Sequence, residues 1–159
     1  MRLPWRRHER PASPAPVQEP LAPLSLDRVR AVLERRGFRV AVDEDGDLTG
    51  LWDDFRFWFL VDLERYERLE VRGAWHRPRN DETVGAVRLA CNDWNRERLW
   101  PKAYWRLEDE RLVVYAEHAI TLPPGITDSQ IDQTVLCALS TGVQLFRELD
   151  SAIPRPVPD

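Results

Sequence analysis

The stretch that most constrains this chain is Cys91-Asn92-Asp93-Trp94-Asn95-Arg96-Glu97-Arg98-Leu99-Trp100-Pro101-Lys102-Ala103-Tyr104-Trp105, where two hydrophobic periods meet. Val84, Val87, Cys91 and Trp94 recur at helical spacing up to it, Pro101 ends that spacing, and Ala103, Trp105 and Leu107 alternate beyond it. A helix must stop and a strand begin within a few residues, at a hinge lined with tryptophan.

The flanking segments supply the remaining elements. Ser25 is an N-cap with Leu24 and Val29 as a hydrophobic staple; Leu26, Val29, Val32 and Leu33 form one helix face, and Gly37 suits a left-handed C-terminal cap. From Phe38 to Trp75 the period is two. Phe38 to Val42 lead to the acidic turn Asp43 to Asp47, then Leu48 to Trp52, a turn at Asp53-Asp54, and strands Phe55 to Val61 and Leu69 to Trp75. Phe57 and Phe59 share one face while Trp58 and Leu60 take the other, so that strand is expected to be central.

The second helix is expected to start at Asn80 or Asp81 and to bury Val84, Val87, Ala90, Cys91 and Trp94, with Leu89 pointing away. A two-residue loop at Asp109-Glu110 would pair Leu107 with Leu112, Trp105 with Val114 and Ala103 with Ala116, placing all six on one face; a slip of one residue breaks that agreement. Thr127 and Gln130 form a capping box, with Ile126 and Ile131 as its staple. The last helix then buries Ile131, Val135, Ala138, Leu139, Gly142, Leu145, Phe146 and Leu149, with Leu136 and Val143 on one flank. Gly142 is expected to allow close approach to the sheet.

The expected fold class is therefore α+β: an antiparallel twisted sheet of about five strands with three helices, in the order α-β-β-β-α-β-β-α. Residues 1–24, which contain six prolines and the cluster Arg6-Arg7-His8-Glu9-Arg10, read as a disordered tail. Residues 25–152 read as the domain and 153–159 as a frayed, proline-rich end.

Charge and cysteine content narrow the function classes. A net charge of −4 does not give the basic stripe of a general nucleic-acid binder, and apolar runs such as Trp58 to Val61 are too short to span a bilayer. Two cysteines, both in helical segments, suit a reducing cytoplasm rather than a disulfide scaffold.

No phosphate loop, nucleophile elbow or metal-ligand spacing occurs, so neither an enzyme nor a cofactor is expected. His76 and His118, both near strand ends, could meet across the sheet, although two separate polar residues explain them better. Cys91 reads as a small buried hydrophobe. Asn95 has two readings: it satisfies the free backbone of a neighbouring strand, or it floors a ligand groove walled by Trp52, Trp58, Trp94, Trp100 and Trp105. The first is favoured because unsatisfied backbone at a helix end is costly.

Several short pieces in this order resemble the YbjN-domain family of bacterial proteins: Asp47-Leu48-Thr49-Gly50-Leu51-Trp52-Asp53-Asp54, Arg56-Phe57-Trp58-Phe59, Val71-Arg72-Gly73-Ala74-Trp75, Cys91-Asn92-Asp93-Trp94-Asn95, Pro101-Lys102-Ala103-Tyr104 and the Thr127-to-Leu149 helix. The resemblance spans about residues 25 to 150 and implies a fold similar to type III secretion chaperones, often dimeric, in regulators of sensory transduction without established catalysis.

The expected function is a cytoplasmic, chaperone-like protein-binding adaptor or regulator, with Leu89, Leu136 and Val143 as the candidate partner surface. The alternative is a small-ligand sensor using the tryptophan groove. The expected partners are an unidentified protein and a second copy of the chain, with no nucleic acid and no membrane.

Overall fold

The computed structural model describes residues 19–64, 67–121 and 125–153. Among them run α1 (Leu26–Arg35), β1 (Val40–Val42), β2 (Leu48–Trp52), β3 (Phe55–Asp62), β4 (Arg68–Pro78), α2 (Asp81–Glu97), β5 (Lys102–Glu108), β6 (Arg111–Thr121) and α3 (Asp128–Ala152). The strands form one antiparallel sheet in the order β1-β2-β3-β4-β6-β5. The sheet has six strands, not about five, because the three residues of β1 pair with β2 and add a short edge.

Local chemistry sets the element ends. Ser25 accepts from the Arg28 N–H, and after α1 the N–H groups of Gly37 and Phe38 close back on Glu34 and Leu33 with Gly37 at φ 79°, a Schellman cap. Asn80, rather than Asp81, caps α2, its side chain accepting from the Thr83 N–H at 2.7 Å. Thr127 and Gln130 close the capping box of α3. Asp53 and Asp54 both take positive φ, as a two-residue hairpin between Trp52 and Phe55 requires.

The hairpin register is the expected one, with Leu107 opposite Leu112, Trp105 opposite Val114 and Ala103 opposite Ala116. β3 lies inside the sheet, and its Phe55, Phe57 and Phe59 are buried. All eight residues expected on the inner face of α3 are buried. A Cβ on Gly142 would lie 2.8 Å from Cε1 of Phe57, and one on Gly73 of β4 would lie 2.5 Å from the same atom. The Phe57 ring thus fills space left by two absent side chains, which lets α3 settle onto the sheet.

Several contacts extend the domain beyond its helices. Ala22 exchanges two backbone hydrogen bonds with Ile126, and Leu24 is buried. The Arg28 guanidinium donates to the carbonyls of Ala22, Pro23 and Ile126 and to Asp128, tying residues 22–23 and α1 to the start of α3. At the far end of α3, buried Arg77 pairs with Asp150 and donates to the Ile153 carbonyl, a cation placed where the helix dipole favours one. The expected tail lies outside the described residues as far as residue 18, as do residues 154–159.

Candidate functional site: the tryptophan hinge and the free edge of the sheet

At the hinge, Trp94 is 3 % exposed and donates through Nε1 to the Pro101 carbonyl at 3.0 Å, while the Arg98 guanidinium stacks over its ring at 4.1 Å. One residue on, Asn95 uses both ends of its amide on one partner. Its Nδ2 donates to the Ala103 carbonyl at 2.7 Å, and the Ala103 N–H donates to its Oδ1 at 2.9 Å. The side chain therefore takes the place of a neighbouring strand at the outer edge of β5, in agreement with the favoured reading of this residue.

The remaining tryptophans are dispersed. Trp52 packs edge-on against Phe38, Phe57 and Phe59, with ring centroids 5.5 to 5.9 Å apart. Trp105 is half-buried against the core on the helix side of the sheet, and Trp100, 37 % exposed, stacks on His118 at 4.4 Å. Trp58 alternates with the buried phenylalanines of β3 and so faces away from the helices, its Nε1 donating to Asp43 at 3.2 Å. It lines a depression of about 370 Å³ with Leu51, Arg56 and Ala74, whereas Trp94 lines another of about 250 Å³ between α2 and α3. Trp94, Asn95, Trp100 and Trp105 thus lie along the hinge segment, Trp94 bonded to Pro101 and Trp100 against His118, while Trp52 and Trp58 lie elsewhere, so the six do not line one groove.

Leu89 is 61 % exposed on α2. Leu136 and Val143 are half-buried on α3, two turns apart on one flank, and Val143 lines a shallow depression of about 530 Å³ with Gln144 and Arg147.

His76 and His118 do not meet. His76 is opposite Val113 and His118 opposite Val71, five residues apart along β4, and the strand pleat sends them to opposite faces. His118 is 5 % exposed with its Nδ1 unpartnered, and burial pushes its pKa down. Burial also pushes the Cys91 thiol up to about 11.

The sheet face away from the helices carries Tyr104 and Tyr115, set opposite each other by the expected β5–β6 register, together with a buried ion-pair cluster that the residue pattern did not single out. Glu70 is 1 % exposed there, held by ion pairs with Arg68 and Arg72. Tyr104 and Tyr115 stack at 5.3 Å, and burial together with a hydrogen bond to Glu108 pushes Tyr115 up to about 12. Only the register, which sets Arg72 opposite Glu117 and Tyr104 opposite Tyr115, brings these groups together.

A two-layer α+β domain with one sheet face left bare by its helices is the class that this geometry defines. The chain belongs to the YbjN family, whose model, described as a putative bacterial sensory transduction regulator, matches residues 25–151. The crystal structure of YbjN from E. coli, described as a putative transcription regulator, is similar with a TM-score of 0.64 at 16% identity, covering 83% of this chain and 96% of that one.

Two further structures score lower. The HopA1-SchA chaperone-effector complex has a TM-score of 0.49 at 13% identity, covering 79% of this chain and 99% of that one. An uncharacterised protein from Methanothermobacter thermautotrophicus has 0.47 at 11%, covering 80% and 98%. No curated protein matches the sequence. No helix among the described residues is long and apolar enough to cross a membrane.

Proposed function

We propose that this chain is a non-enzymatic, protein-binding regulator or adaptor of the bacterial cytoplasm that holds a segment of a partner protein against its surface. One observation carries the reading: in a two-layer domain the three helices share a single face of a six-stranded sheet, so a broad surface bearing Trp58, Tyr104 and Tyr115 is covered by no helix among the described residues. The family description as a regulator supports it.

On the helix layer the candidate contact residues are Leu136 and Val143 on one flank of α3 and, apart from them, exposed Leu89 on α2; the α3 flank suits a second copy of the chain. Light scattering that returned the mass of one chain, 18.6 kDa, at micromolar concentration would remove the dimer.

The adaptor reading is tested by affinity capture from native lysate with quantitative mass spectrometry, comparing the full chain with Leu136→Asp/Val143→Asp on the helix layer and Tyr104→Asp/Tyr115→Asp on the bare sheet face. A protein enriched by the full chain and lost from either variant supports the reading, and no enrichment by the full chain overturns it.

A further inference from the structure

The Asn95–Ala103 contact fixes which way the backbone of β5 points. In an antiparallel ladder, N–H and C=O groups of successive residues point alternately towards and away from the neighbouring strand. Ala103 spends both groups on Asn95, on the side away from β6, so Trp105 and Leu107 point their groups the same way. β5 is the last strand of the sheet on that side, and among the described residues nothing takes the outward groups of Trp105 or Leu107. Leu107 is also 41 % exposed and Trp105 half-buried, which leaves an apolar lip under an open edge. The opposite edge, β1, is only three residues long.

We infer that the Trp105–Leu107 edge accepts a short extended segment of another protein as an added strand, with Asn95 as its end stop. This rests on the adaptor reading and names the surface and the chemistry it takes. A second copy of the chain fits poorly in each available register. Pairing about Trp105 would set Leu107 against Ala103, whose groups Asn95 already holds. Pairing about Arg106 would set two guanidinium groups directly opposite each other, a destabilising like-charge pair. Pairing about Leu107 would need Trp105 opposite Asp109, which sits in the turn at φ 52°.

A different chain avoids all three conflicts. Its apolar residues would face Trp105 and Leu107 on the helix side. The residue between them would face Arg106, which forms no ion pair among the described residues, so a carboxylate fits there. The recognised pattern is apolar-acidic-apolar in an extended conformation.

The test uses the full chain with a fluorescent heptapeptide centred on Val-Glu-Val, its Val-Lys-Val counterpart, and a Val-Glu-Val peptide N-methylated at its two valine amides. Expected is saturable anisotropy for the acidic peptide, weakened about tenfold by N-methylation or by lysine, with slowed exchange of the Trp105 and Leu107 amides. Arg106→Glu should reverse the preference between the acidic and lysine peptides.

Equal affinity for the N-methylated peptide, or no binding of any peptide, overturns the edge site. Protection of amides elsewhere does the same. If capture of a protein partner nevertheless depends on Leu136 and Val143, the adaptor reading stands while the edge inference falls.

Discussion

Asn95 and Ala103 are joined by two hydrogen bonds, 2.7 Å from Nδ2 to the carbonyl and 2.9 Å from the Ala103 N–H to Oδ1, so one side chain stands in for a strand. Asn95→Ala leaves both backbone groups without that partner and is expected to cost about 1–3 kcal/mol. Asn95→Asp keeps the acceptor but turns a carboxylate towards a carbonyl, and should cost at least as much. Thermal denaturation measures both, and light scattering should show increased association as the edge opens. Unchanged melting temperatures would show that the contact contributes nothing.

Gly142 and Phe57 give a second expectation. Gly142→Ala would raise intrinsic helix propensity, yet the new Cβ would meet the Phe57 ring at 2.8 Å. Overpacking should win, with a net loss of about 1–3 kcal/mol. Adding Phe57→Leu should recover part of the Gly142→Ala loss, a coupling that a double-mutant cycle measures.

His118 makes stability depend on pH in a defined direction. Burial lowers the folded pKa below the ordinary 6.5, so as pH falls through 6.5 the unfolded chain takes up the proton first. This group's effect on stability is nil well above 6.5, becomes destabilising as pH falls, and levels off below the folded pKa. Urea denaturation at pH 7.5 and 5.5 should show a larger loss for the native chain than for His118→Leu, and equal losses would exclude His118 as the source.

The two cysteines should differ in reactivity. Cys91 is 3 % exposed, its thiol pushed up to about 11, whereas Cys137 is half-buried on the flank of α3. With a thiol reagent at pH 8, the folded protein should label at Cys137 alone and the unfolded chain at both. Labelling of folded Cys137→Ser at the native rate would overturn this assignment.

Much of the fold is legible in the residues because it follows from local rules. The caps at Ser25 and Thr127, the Gly37 turn and the buried face of α3 depend on neighbours within a few positions, and the β5–β6 register follows from a two-residue loop plus alternation. The favoured role of Asn95 was also legible, since a polar residue at a helix end beside Pro101 needs a partner nearby. Arg77 was not. Its burial depends on Asp150 and Ile153, more than seventy positions away, and an arginine at a strand end reads locally as exposed.

What the sequence alone determined is therefore the class of the fold, the order of its elements and the faces they bury, because hydrophobic period and capping act over a few residues. Tertiary structure alone decided which distant side chains share a space. It sent His76 and His118 to opposite faces, dispersed the six-residue groove, enclosed Glu70 between two arginines and left the Trp105–Leu107 edge open. Strand order and pleat set those relations, and both are properties of the assembled sheet rather than of any one segment.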